Sequence, residues 1–361
     1  MLDVVRMHAP LRDRLIAKMN EVLDSGAYIG GRYVAEFEAQ LAAYTGAKRA
    51  IGVSSGTDAL LVALMALGVQ PGDEVITSAF TFFATAGSIA RLGAKPVFVD
   101  IDPITFNIDP NAIEDAITNR TKGIIPVDLF GQSAEMNRIE AIAAKHGLWV
   151  LEDAAQSIGA LHHGRMCGAM GTVAAYSFYP AKNLGAIGDA GAVLTNDEAL
   201  AAKIDLLRNH GSESRYYHRT VGGNFRLDAI QAAVLSVKLP SLKSWEAQRR
   251  QAAQTYARLL KGSDLYATPV EVSGNYHVYN QYELRVRNGK RDAAAEKLRS
   301  TGIGHAIYYP VPLHLQECFS TLGYKPGSLP HAEQACKEVL AVPILVTPQE
   351  CERVVRELLM V

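Results

Sequence analysis

From about residue 48 to 195 the chain alternates two textures, and this alternation limits the folds open to it. Short apolar, β-rich runs cover residues 50–53, 74–77, 96–99, 123–127 and 148–151. Longer stretches of helical texture lie between them, at 57–67, 82–92, 110–117 and 134–146. Gly68 with Pro71-Gly72, then Gly93, then Gly147 punctuate the helix ends. Strand–helix–strand order of this kind predicts an α/β domain with a mainly parallel sheet. The strands read as continuous apolar runs, which suits strands covered by helices on both faces. The stretch 57–67 is apolar on nearly every side and is expected to be buried.

The texture changes after residue 240. A polar helical stretch rich in Gln and Arg covers 241–260, followed by candidate strands at 279–286 and 306–309 and helical segments at 331–340 and 348–359. The chain has 361 residues, enough for two domains. The expected division is 1–240, a large α/β domain, and 241–361, a smaller α+β domain. The helical stretch 11–23 is a candidate to pack with the smaller one. Hydrophobic content of 48% predicts a substantial core. A formal net charge of -1 gives no ground for a nucleic-acid or anionic membrane partner. Cys167, Cys318, Cys336 and Cys351 are sparse and form no C-x-x-C pair, as in a reduced compartment. Residues 1–8 lack the basic-then-apolar order of a signal peptide, and the longest apolar run, 59–67, is too short to span a membrane. A cytoplasmic protein is expected.

Several residues in this frame carry chemistry. Ser54-Ser55-Gly56-Thr57-Asp58 joins a strand to a helix. A helix start offers free N–H groups and a positive dipole end, so the turn suits a phosphate: Gly56 admits close approach and Thr57 adds a hydroxyl. The same turn also suits a plain Ser cap. Asp153 ends an apolar run, at the strand edge where open α/β sheets bind ligands. It can keep a ring nitrogen protonated or cap a helix, and Gln156 can reach a ring oxygen. Phe82 can stack on a flat ring or fill the core. Lys182 lies in Ser177-Phe178-Tyr179-Pro180-Ala181-Lys182-Asn183-Leu184-Gly185. Most lysines are solvated, but a buried approach supplies a neutral amine, and Ser177 can touch a phosphate. An amine, a strand-end carboxylate and a phosphate turn are what a protein supplies to hold pyridoxal 5'-phosphate. Gly185, Gly188 and Gly191 are spaced G-x-x-G-x-x-G, which is not the dinucleotide fingerprint. His162, His163 and Cys167 lack a second ligand pair, so no metal site is expected.

With these segments in order, the chain resembles the pyridoxal-phosphate sugar aminotransferases of the DegT/StrS family. The similarity runs from Gly30-Gly31 and Phe37, through Pro71-Gly72-Asp73-Glu74-Val75-Ile76, to Tyr309-Pro310-Val311-Pro312-Leu313-His314. It implies the aspartate-aminotransferase type of fold (fold type I), with a seven-stranded sheet and a smaller C-terminal domain. It implies Lys182 as the cofactor-bearing lysine and proton carrier, Asp153 as the ring-nitrogen partner and Gln156 as the ring-oxygen contact. Gly56, Thr57 and Ser177 match phosphate positions, and Phe82 the stacking aromatic. Gly222-Gly223-Asn224-Phe225-Arg226-Leu227-Asp228 resembles a loop that crosses to a neighbouring subunit. Asn224 would then bind the partner's cofactor phosphate, in a homodimer with shared active sites. Arg226, Tyr309 and His314 match positions near the substrate.

The resemblance further implies transfer of an amino group from L-glutamate, released as 2-oxoglutarate, through pyridoxamine phosphate to a nucleotide-linked keto sugar. The run from Lys182 to Gly191 looks like the branch that aminates C3. UDP-linked 3-keto-N-acetylglucosamine types and dTDP-linked 3-keto-6-deoxyhexoses are the expected acceptors. The product would serve a cell-surface glycan or glycolipid, such as lipopolysaccharide. The alternatives are C4 amination, dehydration by relatives with histidine in place of the lysine, and a non-catalytic regulator.

Overall fold

The β-rich runs become the strands of one seven-stranded sheet: β1 (Arg49–Val53), β2 (Glu74–Ser78), β3 (Lys95–Val99), β4 (Thr121–Ile125), β5 (Trp149–Asp153), β6 (Val173–Ser177) and β7 (Gly191–Thr195). Their spatial order is β1-β7-β6-β5-β4-β2-β3. Six strands run the same way. Only β7 is reversed, with Leu194 opposite Ala50 on one side and Ala174 on the other. The computed structural model describes residues 3–361; Met1 and Leu2, the head of the N-terminal segment considered as a leader, lie outside the described residues.

Eight helices precede residue 240 among the described residues: α1 (Val4–His8), α2 (Arg12–Ser25), α3 (Gly31–Thr45), α4 (Gly56–Leu67), α5 (Ala84–Arg91), α6 (Met136–His146), α7 (Glu198–Arg208) and α8 (Ala229–Lys238). Alternate strand residues feed opposite faces of the sheet. Ile51, Val53, Leu151, Val173 and Val193 pack with Leu60 and Leu64 of α4 and Ile204 of α7. Ala50, Ala174, Tyr176 and Leu194 pack with Phe37 and Leu41 of α3 and Val234 of α8. Each fully buried leucine of these layers contributes about 1.5–3 kcal/mol. α4 is buried from Ala59 to Leu64, as its all-round apolar sequence predicts.

The rest of the chain supplies α9 (Leu242–Leu259), β8 (Tyr266–Ala267), β9 (Tyr282–Val286), α10 (Arg291–Ser300), α11 (Pro330–Glu338), β10 (Val339–Val342) and α12 (Pro348–Leu358). The strands make an antiparallel sheet in the order β8-β9-β10. Their core joins Tyr256, Tyr282, Leu284, Leu298, Leu340 and Val354, all from beyond α8.

Three local expectations differ from the structure. Residues 110–117 form two 3-10 turns, Pro110–Ala112 and Glu114–Ala116, because the core reaches only Pro110 and Ile113 of this stretch. Residues 306–309 make one bridge, Ala306 to Ala341, rather than a strand. The helix at 331–340 stops at Glu338, and the apolar run Val339–Val342 instead pairs with β9. The N-terminal helix α2 packs Leu15 and Val22 into clusters shared with α3 and α8, and the Leu15 cluster also takes in Leu242 and Trp245 of α9, with Leu345 against it. The tie from the N-terminal segment to α12 is the ion pair Arg6–Glu350, 2.7 Å. Among the described residues no helix is long and apolar enough to cross a membrane, and the four cysteines are unpaired.

Candidate active site

The carboxyl ends of β1, β5 and β6 and the start of β7 lie along one edge of the sheet, so groups far apart in sequence meet there. After β1, Ser55 caps α4: its side chain accepts from Asp58 N at 3.0 Å, while Ser54 Oγ donates to Asp58 Oδ2 at 2.6 Å. The cap reading of this turn is therefore realised. It still leaves the Gly56 and Thr57 amides, the first two of the helix, without an intrahelical acceptor. A Cβ on Gly56 would stand 2.5 Å from Ser177 Cβ. Only glycine lets the end of β6 come this close, which places the Ser177 hydroxyl beside the α4 start. Thr57 is exposed at the same place. Two free amides and two hydroxyls around one helix start fit a phosphate dianion.

Asp153, at the end of β5, is 4% exposed. Its Oδ2 accepts from Thr85 Oγ1 at 2.8 Å, and its Oδ1 from Ala155 N at 3.3 Å. Burial pushes this carboxyl above its ordinary range, while the bonds from Thr85 and Ala155 and the charge of Lys182 pull it back. A buried carboxylate held by two donors fits a protonated ring nitrogen. Gln156 Oε1 accepts from Phe130 N at 2.7 Å, and Gln156 Nε2 donates to Tyr309 OH at 3.3 Å. The Tyr309 ring in turn lies 6.4 Å from that of Phe82, which is 57% exposed at the mouth. Lys182 is half-buried in the loop after β6. Burial lowers its ammonium to about 8, against the opposing pull of Asp153. The residues present therefore fit pyridoxal phosphate: a cradle at Gly56 and Ser177, a buried acid at Asp153 and an amine that loses its proton readily.

Behind Asp153 lies a buried acid pair. Asp128 Oδ1 accepts from Ala134 N at 2.9 Å and Oδ2 from Ser157 Oγ at 3.0 Å. Glu152 accepts from Gly168 N at 2.7 Å and Met170 N at 3.1 Å. Burial, then the charge of Asp128, pushes the Glu152 carboxyl well above its usual range, and burial raises Asp128 as well.

Lys182, Asp153, Gln156, Ser177, Gly56, Thr57, Phe82 and Tyr309 thus share one edge. Asn224 and Arg226 occupy a neighbouring cleft of about 260 Å³, lined also by Ser54, Asp189 and Asp228. Their segment is pinned to this chain's own β1 end, with Ser54 N donating to Phe225 O at 3.0 Å. Arg226 Nε is buried there without a partner. His314 is not brought to the site: its ring is 1% exposed, bonds to Glu333 at 3.2 Å and abuts Tyr324. His162 pairs with Asn275 at 2.7 Å, away from the buried Cys167. Sequence reasoning missed Thr85, the Phe130 amide and the Asp128–Glu152 pair. Thr81 and Thr85, one helical turn apart, were the available signal for the first.

Comparison with known proteins agrees with this geometry. The sequence pattern of the DegT/DnrJ/EryC1/StrS aminotransferase family matches residues 10–359. A "Pleiotropic regulatory protein" of Geobacillus stearothermophilus is 55% identical, over 95% of this chain and 92% of the relative. The UDP-2-acetamido-2-deoxy-3-oxo-D-glucuronate aminotransferase of Pseudomonas aeruginosa is 45% identical, over 95% of this chain and 94% of the relative. DesV of S. venezuelae, solved in complex with a ketimine intermediate, superposes with a TM-score of 0.95 at 41% identity, covering 98% of this chain and 96% of that one. The expected α/β fold with a mainly parallel seven-stranded sheet is the fold shared with these solved aminotransferases. The chain belongs to the DegT/DnrJ/EryC1/StrS aminotransferase family.

Proposed function

We propose that the chain is a pyridoxal-phosphate-dependent aminotransferase that moves an amino group from L-glutamate to the C3 keto group of a nucleotide-linked sugar. One observation carries this reading: a readily deprotonated lysine, Lys182, within the field of a buried, hydrogen-bonded Asp153, beside the Gly56–Ser177 cradle. The bound cofactor would supply an electron-accepting ring that stabilises charge developing at the amino-acid or sugar carbon. Asp153 would hold the proton on that ring's nitrogen, and Thr85 and Ala155 fix the carboxylate in place. Gln156, steadied by Phe130 N and Tyr309 OH, would contact the ring oxygen. Phe130 sits at φ +58, a backbone cost of order 1–3 kcal/mol that the surrounding packing holds in place. Phe82 would cover a ring face, and the amides of Gly56 and Thr57 with the Ser177 hydroxyl would take the phosphate. Lys182 accepts and returns the transferred proton, a task suited to an amine whose proton is lost near pH 8.

C3 rather than C4 is supported by the 3-oxo sugar named for the Pseudomonas relative. Lys182 speaks against a histidine-type dehydratase, and Lys182 with Asp153 against a scaffold without catalysis, despite the regulatory name of the Geobacillus relative. The acceptor is proposed as a UDP-linked 3-keto-N-acetylglucosamine type, with dTDP-linked 3-keto-6-deoxyhexoses second. The exposed hairpin around Tyr216 and Tyr217, with Arg215 and Arg219, offers aromatic faces for a base and cations for a diphosphate. The decisive assay compares 3-keto and 4-keto sugars of the same nucleotide. The 3-keto sugar is expected to turn over on the order of 10² faster, a difference of about 2.7 kcal/mol. Faster amination of the 4-keto sugar would overturn the C3 assignment.

We further propose two domains, 1–240 and 241–361, a cytoplasmic location, and a product destined for a surface glycan. A homodimer with shared sites is supported by apolar side chains left exposed around the site mouth: Tyr28, Ile29, Tyr179, Ile187 and Val221. Asn224, exposed beside them, is the residue proposed to reach the partner's phosphate. Mixing inactive Lys182→Ala with inactive Asn224→Ala under subunit exchange is expected to restore roughly a quarter of the wild-type sites, the random-pairing value for two-site dimers. No recovery after proven exchange would end the shared-site proposal.

A further inference from the structure

The glycines at 185, 188 and 191 are explained by what surrounds them. Gly185 and Gly188 lie in residues 180–190, the irregular connection from β6 to β7 that carries Lys182, and Gly191 opens β7. A Cβ at Gly185 would stand 2.3 Å from Pro180 O, at Gly188 2.8 Å from Gln231 Nε2, and at Gly191 2.4 Å from Ser55 O. Each glycine marks a close approach: of the loop to itself, to α8 and to the phosphate turn. Two side chains of α8 then grip the loop. Gln231 Oε1 accepts from Ile187 N at 3.0 Å, and Lys238 Nζ donates to the Gly185 carbonyl. Two turns of helix separate the two side chains, so they project from the same face.

Lys238 is an unusual residue to find here. It is 0% exposed, whereas lysines are almost never fully buried unless paired. Among the described residues it has no carboxylate partner; its other contacts are His8 Nε2 at 2.6 Å and the Trp245 ring, 5.9 Å from its centroid. An apolar residue would pack at lower desolvation cost. What the amine provides is a strong bond to one carbonyl of the lysine loop. Burial lowers its ammonium to about 8, consistent with a donor held against its desolvation.

We propose that Lys238 is a positioning residue for Lys182: its bond to the Gly185 carbonyl, with Gln231 two turns earlier, clamps the 180–190 loop to α8 and so fixes where Lys182 presents its amine. The inference rests on the reading of Lys182 as the cofactor-bearing residue. α8 begins at the end of the 222–228 segment, so one helix supports both the lysine loop and the Asn224–Arg226 cleft.

The test compares wild type with Lys238→Met, Lys238→Arg and Gln231→Leu, each with and without cofactor. Amide hydrogen exchange in a peptide covering 183–190 is expected to quicken about tenfold in Lys238→Met, the size set by one hydrogen bond to a charged group, with exchange along α8 unchanged. Gln231→Leu, which keeps the buried amine, should quicken the same peptide by less. In the loaded enzyme the pH midpoint of the cofactor–lysine absorbance should shift in Lys238→Met, with kcat lowered and KM for glutamate nearly unchanged. Lys238→Arg, still able to donate, should recover most of both. Wild-type exchange at 183–190 in both Lys238→Met and Gln231→Leu, or loosening of all α8 equally, overturns the clamp. Borohydride fixation separates the two readings: labelling of a lysine other than Lys182 overturns the cofactor assignment itself, whatever the exchange shows.

Discussion

Lys182→Ala is expected to lower turnover by roughly 10³–10⁴-fold, the upper range for a positioned proton-transfer group. The protein should remain folded, because the side chain is half-buried and bonds through its backbone, Lys182 N to Tyr179 O at 2.8 Å. Borohydride should fix the cofactor to Lys182 in wild type, and the variant should lose that label. The ammonium is lowered to about 8 by burial, so the free amine predominates above that pH. Reaction of cofactor-free protein with an amine-selective aldehyde should therefore rise with pH and reach half its maximum near pH 8. Half-reaction near the value of an exposed lysine, about 10.4, would remove the physical basis for the role. Turnover by Lys182→Ala within a few-fold of wild type would remove the role outright.

Asp153→Asn is the second large effect expected, a fall in kcat of about 10²–10³-fold, the scale of losing one preorganised electrostatic contact. The amide has the shape of the acid, and its Oδ1 can still accept one of the bonds now made by Thr85 Oγ1 and Ala155 N. Circular dichroism and the melting midpoint should stay close to wild type. The loss is electrostatic: a neutral amide no longer favours a protonated ring nitrogen. Thr85→Val, which leaves the charge and removes one donor, should cost less than Asp153→Asn. An equal loss in both variants would mean that position rather than charge is at stake.

The sheet was readable because fully covered strands advertise themselves as apolar runs between helices, and β1 to β5 fall within about two residues of the runs that predicted them. Periodicity failed where a short apolar run joins a helix end, as at Val339–Val342, since four apolar residues suit a helix face or a buried strand alike. It failed again at 306–309, where extended, aromatic sequence contributes only the bridge from Ala306. The site was legible where chemistry demands a residue type: Lys182 for an amine, Asp153 for a carboxylate, Gly56 for a close approach. The Phe130 amide was invisible, because a backbone donor leaves no mark on residue identity. Lys238 was invisible for another reason, since a buried lysine and a solvated one are spelled alike. His314 was placed near the substrate by the resemblance alone, and no feature of its sequence signals that its ring turns inward to bond Glu333.

The reversed strand β7 also sets an order of assembly. β1 comes first in the sheet's sequence but stands at its border, and β7, the last of the seven, is the strand that pairs it to the others. A growing chain that has reached residue 190 already contains Asp153, Ser177 and Lys182. It cannot yet hold Gly56 beside Ser177, because the strand between β1 and β6 has not been made. The far side of β1 waits longer still, for the bridge from Val53 to Arg226. Such distant pairings are slow, since the closure entropy of a long loop comes before any contact rewards it. During synthesis the phosphate cradle is therefore expected to close after the rest of the sheet, so a nascent chain would acquire tight cofactor affinity only once residues well beyond Lys182 have emerged.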